Sequence, residues 1–162
     1  GAASADPGAY GADGINAASI GQMLQYGKPY GATAFDASYQ IDYDAIGEWT
    51  VCPEGYAVPT LDQFNAAIAK VTGGTISSNG VSGNAGITLT LMNSVMKLPI
   101  GGWLTNGDTQ PQAYGEAAAY WTSSKGSNTA PWKVDINNSS ASNTGANWAD
   151  AAWQLPVRCI KK

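Results

Sequence analysis

The residues with the most chemistry in them are two thiols, Cys52 and Cys159, the only cysteines of the chain. Bridged, they would close a loop of roughly 100 residues, which the chain-entropy account credits with about 4–5 kcal/mol before native strain is subtracted. Unbridged, they would be two small buried hydrophobes. Their spacing does not choose between these readings. Catalytic chemistry is harder to find, because the chain has no His, the commonest general base and metal ligand. Asp36, Asp42, Asp44 and Glu48 form an acidic cluster in which Asp42-x-Asp44 has the spacing of a cation loop. No Gly and Glu follow at calcium-hand distances, so the cluster reads as a solvated loop face. No carboxylate pair of a hydrolase is legible, and no catalytic residue is expected. Arg158, the single Arg, alternates with Cys159 and is expected to hold a carboxylate or loop carbonyls rather than a ligand.

Binding chemistry is richer. Trp103, Trp121, Trp132, Trp148 and Trp153 are candidates for a stacking platform, although several of them must be core. Asn137, Asn138, Asn143, Asn147 and Asp150 lie in a Ser/Asn-rich stretch that could present adaptable hydrogen-bonding groups. The expected ligand-binding set is Trp103, Trp132, Asn137, Asn138, Asn143, Asn147, Trp148 and Asp150.

Composition narrows the partners. The length of 162 residues fits one domain able to bury a sizeable core. Only 12% of residues are charged, against about 25% in an average soluble domain, so polarity rests on Ser, Thr, Asn, Gln and 20 Gly. With a net charge of −4 and scattered Lys and Arg, there is no basic stripe for nucleic acid. No apolar run reaches the length of a membrane span. Eight Tyr and six Trp against two Phe favour amphipathic aromatics, which suit half-wet surfaces. The leading Gly1-Ala2 looks like a processed or trimmed end, compatible with an exported precursor.

The elements that must position these groups follow from pattern. Residues 1–19 are rich in Gly, Ala, Ser and Asp and read as a loosely held arm, with a single domain over 20–162. Ile20 to Leu24 could be helix or strand, and Tyr26 to Tyr43 reads as extended segments and turns. Thr60-Leu61-Asp62-Gln63 is a capping box, and Leu61, Phe64, Ala67, Ile68 and Val71 make one stripe, predicting a helix over 60–72. Thr75 to Gly86 reads as loop, Ile87 to Leu91 as a strand, and Leu91 to Lys97 could be a helical turn or two. Tyr120 to Ser124 and Trp132 to Ile136 alternate and predict a hairpin; Asn137 to Asn147 reads as polar loop and Gln154 to Ile160 as a last strand. One clear helix among short strands and long loops is α+β.

Three segments also resemble a known family. Cys52-Pro53-Glu54-Gly55-Tyr56-Ala57-Val58-Pro59-Thr60, running into the helix, resembles the C-P-x-G-W-x-x-P-T opening of the Fibrobacter/Bacteroidetes major paralogous domain. Tyr120-Trp121-Thr122-Ser123-Ser124 resembles that family's Y-W-(S/T)-S-(S/T) strand, and Val157-Arg158-Cys159-Ile160-Lys161 its closing V-R-C-(V/I)-K. The C-terminal domain of bacterial collagen-like adhesins carries a similar series. The resemblance covers residues 52–161 and implies a C-type-lectin-like fold, in which a disulfide between Cys52 and Cys159 clasps the helix region to the last strand.

Calcium-binding lectins use a Trp-Asn-Asp triplet and a second triplet upstream, because calcium takes six to eight oxygens. Here Asn147-Trp148-Ala149-Asp150 has Ala149 in place of the liganding Asn, and Thr129-Ala130-Pro131-Trp132 offers no carboxylate, so no cofactor or metal is expected, with calcium as the lesser alternative. Val58 to Phe64 distantly resembles a helix of formylglycine-generating enzymes, whose chemistry needs a reactive cysteine pair; the clasp that the lectin-like resemblance implies would commit both cysteines here. Variable proteins diversified by retroelements place their changeable residues near the C-terminal loops of this fold, the region of Asn137 to Thr144. The resemblance therefore implies a non-catalytic adhesin-like module, secreted or held at the cell surface by an outer-membrane anchor. It would be a monomeric domain of a larger exported protein that meets a glycan or protein ligand through a loop face bounded by residues 101–116 and 125–150. A structural subunit of a pilus tip or cell envelope is the second expectation, and an enzyme of the formylglycine-generating branch the third.

Overall fold

The computed structural model of the chain describes residues 23–29, 32, 35–72, 75–77, 80–82, 98–105, 108–126, 131–137, 141–145 and 152–162. The expected arm over 1–19, the strand at 87–91 and the helical turns at 91–97 lie outside the described residues. Within them the chain is α+β, in the order α1 (Tyr43–Ile46), β1 (Tyr56–Ala57), α2 (Leu61–Thr72), β2 (Thr75–Ser77), β3 (Gly80–Ser82), β4 (Ala117–Lys125), β5 (Pro131–Asn137), β6 (Ala141–Gly145) and β7 (Ile160–Lys161). The strands form three antiparallel sheets, β1-β7, β2-β3 and β4-β5-β6.

Helix α2 forms where its cap and stripe place it. Thr60 N–H donates to Gln63 Oε1 (2.9 Å) and Gln63 N–H to Thr60 Oγ1 (3.1 Å), so the capping box closes both ways. Its buried face is narrower than the stripe, since Phe64 and Ile68 are buried, Leu61 is partly so and Ala67 is exposed. Phe64 and Ile68 pack on Leu98, Ile100, Ala118, Tyr120, Val134 and Ile136, which makes one core between α2 and one face of the three-stranded sheet.

The opposite face of that sheet carries the second core. Ala119 and Trp121 of β4 meet Leu24, Tyr26, Ile41, Trp49, Val51, Val58, Leu155, Val157 and Cys159 there. Alternation along β4 sends successive side chains into different cores, which is why Ala118 to Trp121 are all buried.

Each residue of the Tyr120–Ser124 segment has a structural task. Tyr120 donates its hydroxyl to Pro99 O (2.6 Å), and Trp121 its indole N–H to Leu24 O (2.8 Å). Thr122 Oγ1 donates to Trp132 O (2.6 Å) where the register with β5 shifts. Ser123 N–H donates to Pro59 O (2.8 Å), and Ser124 Oγ accepts from Leu61 N–H (2.9 Å). The last two bonds fasten the start of α2 to β4.

The clasp is present: Cys52 and Cys159 are disulfide-bonded, with Cα atoms 5.8 Å apart. Beside it Tyr56 pairs with Lys161 and Ala57 with Ile160.

Three expectations are corrected. Gln154 to Ile160 is not one strand, because only Gln154 and Leu155 make bridges before β7 resumes at Ile160. Pro156 between them has no N–H to give a ladder. The polar stretch from Asn137 to Asn147 is not all loop, for β6 lies within it and pairs with β5 from Trp132↔Gly145 to Ile136↔Ala141. Thr75 to Gly86 likewise contains the β2-β3 pair. Both escape a sequence reading because Ala-Ser-Asn-Thr-Gly carries little strand propensity, and Thr-Ile-Ser and Gly-Val-Ser are too short to show an alternation; the neighbouring strand decides their state. The short helix α1 begins at Tyr43, where the segment read as extended ends; Asp42 caps it by accepting from Asp44 N–H and Ala45 N–H (3.1 Å each).

Candidate functional site: a stacked tryptophan pair beside a bonded carboxylate

Residues 102–104 are bonded to three different parts of the chain in succession. Gly102 N–H donates to Ala117 O (2.9 Å) at the edge of β4. Trp103 and Gln112 exchange both backbone hydrogen bonds (3.2 and 2.8 Å), and Leu104 and Gln154 do the same (3.1 and 2.9 Å). Gly102 has φ +69°, and a Cβ there would fall on the Gln112 backbone carbonyl, so only Gly lets the 112 segment come this close.

These pairings set the aromatic geometry. The Leu104–Gln154 pair puts Trp103 and Trp153 on a diagonal, a relation within reach of large rings. Their indoles stack, parallel to within 4° with centroids 6.1 Å apart, and both rings are partly buried against the Trp121 core. Lys133 Nζ lies 5.0 Å from the Trp153 ring centroid and bonds both carboxylate oxygens of Asp135 (3.0 and 2.9 Å). The Lys133 side chain is only 5% exposed, so its ammonium is matched by an ion pair and an aromatic face instead of water.

Gln112, directly across from Trp103, opens a polar network. Its Nε2 donates to Thr105 Oγ1 and to Asp108 Oδ2 (2.7 Å each). Asp108 Oδ2 also accepts from Thr105 N–H (3.0 Å) and Thr105 Oγ1 (3.1 Å). A carboxylate can only accept, so the amide nitrogen of Gln112 must face it and the amide oxygen must face away. The Thr105 backbone N–H, followed by the Gln112 amide, holds the Asp108 carboxyl below its ordinary pKa. Among the described residues no hydrogen bond uses Asp108 Oδ1 or Gln112 Oε1.

The expected ligand-binding residues fall in different places. Trp103 is in this patch. Trp132 is partly buried, and its parity with Val134 and Ile136 puts it on the α2 face of the sheet, away from Trp103 and Trp153. Asn137 ends β5 opposite Ala117, and Asn143 lies in β6 opposite Val134. Asn138, Asn147, Trp148 and Asp150 lie outside the described residues. Trp121 is fully buried and belongs to the core.

Trp153, Thr105, Asp108, Gln112 and Lys133 are missing from the expected set, except that Trp153 stood among the platform candidates. No residue-level sequence signal marks Thr105, Asp108, Gln112 or Lys133, because the Leu104–Gln154 and Trp103–Gln112 pairings that gather the site are tertiary.

The acidic cluster disperses. Asp36 accepts from Ser38 and lies 3.9 Å from Lys28; Asp42 caps α1; Glu48 pairs with Lys162 at 3.2 Å. Among the described residues no three His, Cys, Asp or Glu side chains gather in a way that could hold a metal ion. An open cleft of about 540 Å³ is lined by Ile41, Asp42, Tyr43, Asp44, Lys125 and Gly126. Lys125 covers the Tyr43 ring there, its Nζ 5.0 Å from the centroid. Among the described residues no helix is long and apolar enough to cross a membrane. Comparison of the chain with protein-family models, curated proteins and solved structures gives no match.

Proposed function

We propose that this chain is a non-catalytic, exported binding module of C-type-lectin-like architecture, adhesin-like, which takes a glycan or protein ligand on the face carrying Trp103 and Trp153. One observation carries the reading: a stacked indole pair, fixed by two flanking backbone pairings, beside an ordered Thr105–Asp108–Gln112 network. Recognition sites combine an apolar plate with a few well-placed polar groups on a rigid frame, and this patch has that composition. The Cys52–Cys159 bond supports export, since such bonds persist in oxidising compartments. The lectin-like architecture is supported by the way the three motifs cooperate: the Cys52 segment and the last strand are bonded, and the Tyr120–Ser124 strand holds both cores. The absence of His supports a binding role over catalysis.

A glycan array probed with and without chelator, using the wild type and Trp103→Ala, tests this reading. Retention on glycans, or on a protein partner, that falls with Trp103→Ala is the expected result. Binding that ignores this substitution in a folded protein sinks the assignment of the face. A partner found to be another envelope subunit would shift the module to assembly.

A further inference from the structure

We infer that the ligand of the Trp103 face is an uncharged pyranoside, bound without a metal ion by stacking on Trp103 and donating hydroxyl hydrogens to Asp108 and Gln112. This rests on the reading of that face as the binding site. The argument is one of matching polarity. The patch joins an aromatic plate to two acceptors that the described structure leaves open, Asp108 Oδ1 and Gln112 Oε1. The nearby donors (Thr105 N–H, Thr105 Oγ1 and Gln112 Nε2) are all turned inward on Asp108 Oδ2 or Thr105 Oγ1.

A ligand that fits must therefore bring donors around an apolar face. A pyranose ring does so: its C–H face is apolar and slightly positive, suited to the negative face of an indole, and its rim is hydroxyls. Two features exclude close alternatives. An anionic sugar or a phosphate would meet an ionised Asp108 on a chain of net charge −4. A cationic side chain would meet a stack that Lys133 already polarises from Trp153.

The site is also ready-made. Trp103 is held by its pairing with Gln112 and its stack on Trp153, and Asp108 by three hydrogen bonds, so little ordering entropy opposes binding. Calcium has no place in it. Calcium takes six to eight oxygens with several carboxylates, whereas Asp108 is the one carboxylate of the network and Asp135 is held by Lys133.

The test is a titration of the whole chain, followed by tryptophan fluorescence, with methyl glycosides of glucose, galactose, mannose and N-acetylglucosamine, each with and without EDTA. At least one should bind saturably with Kd on the order of 1 mM, a usual strength for so few contacts. Trp103→Ala and Asp108→Asn should each weaken it about tenfold, the scale of losing one strong contact. Tyr56→Ala, on the separate β1-β7 pair, should leave it unchanged. If Trp103→Ala loses its circular dichroism spectrum, Trp103→Phe and Asp108→Asn carry the test.

No response to any neutral glycoside overturns the inference, as does binding that EDTA abolishes. Preference for sialyllactose or for an oligolysine peptide, still lost with Trp103→Ala, overturns the ligand class and leaves the face standing. Sugar binding indifferent to both substitutions overturns the face as well.

Discussion

The indole N–H of Trp121 donates to the carbonyl of Leu24 at 2.8 Å, joining two fully buried residues that are 97 positions apart. The same carbonyl accepts Leu155 N–H at 3.0 Å, and Trp121 N–H donates to Pro156 O at 3.2 Å. One tryptophan thus ties strand β4, at the edge of the three-stranded sheet, to both the first described segment and the last.

Trp121→Phe should therefore destabilise the fold without unmaking it. The Leu24 carbonyl would keep its bond from Leu155, so no buried acceptor is orphaned. What is lost is one hydrogen bond and part of a ring volume in a packed core, together about 2–3 kcal/mol. Urea denaturation of the two proteins measures it. A difference under about 0.5 kcal/mol would show that this contact is not a joint of the fold.

The disulfide acts on the unfolded chain. Its partners are 107 residues apart, and a loop of that size is credited with about 4–5 kcal/mol, an upper figure because native strain subtracts from it. Reduction, or paired Cys52→Ser and Cys159→Ser substitution, should lower the denaturation midpoint accordingly. Most domains have about 5–15 kcal/mol in all, so the reduced form should be marginal. An unchanged midpoint would mean that the β1-β7 pairing and the Trp121 core hold the ends together unaided.

Parts of this architecture are legible in sequence because they are local. The Thr60–Gln63 box and the Phe64/Ile68 spacing specify α2 within a few residues of themselves. The alternation of Tyr120–Ser124 and Trp132–Ile136 marks the hairpin that both cores share. The β6 strand and the β2-β3 pair are not legible, since β6 is all polar or small and β2 and β3 are three residues each with a single apolar one, Ile76 and Val81, so their state is set by neighbours. The candidate site is the least legible of all. Trp103 stands out as an aromatic, but Gln112, Asp108 and Trp153 acquire meaning only once residues 102–104 are paired to three separate segments. Trp132, equally prominent in the sequence, belongs to the other face by a single step of strand parity.

Alkaline pH should loosen the aromatic core before it breaks the sheet. Burial, and then the neighbouring Tyr26, push the Tyr43 hydroxyl up to about 12, and burial raises Tyr26 and Tyr39 as well. A pKa raised on folding stabilises the native state fully below the unfolded value, about 10 for Tyr. That stability is lost as pH rises from about 10 toward 12, because the unfolded chain ionises first. Tyrosinate absorbance followed with increasing pH should show a late-titrating group of Tyr that moves to ordinary values in denaturant. Titration of all eight Tyr as one class in the folded protein would contradict the buried placement of this cluster.

Two glycines of the same stretch should respond differently to alanine, and the contrast isolates the site. Gly102 (φ +69°) and Gly115 (φ +77°) both sit in the left-handed region, so each Gly→Ala change costs about 1–2 kcal/mol of backbone strain. At Gly115 a Cβ meets nothing within 4 Å, and the cost should end there. At Gly102 it falls on the Gln112 carbonyl and lies 3.1 Å from Tyr114 N, both backbone atoms that cannot rotate away. The 112 segment must then move, which breaks the paired hydrogen bonds between Trp103 and Gln112 and uncouples the amide of Gln112 from Asp108. Gly102→Ala should thus cost about 2–4 kcal/mol and expose the Trp103 and Gln112 amides to hydrogen exchange, whereas Gly115→Ala leaves them protected. Ligand binding should follow the same split, falling in the first variant and holding in the second. Equal protection of Trp103 and Gln112 in both variants would mean that the close approach at Gly102 does not build the site.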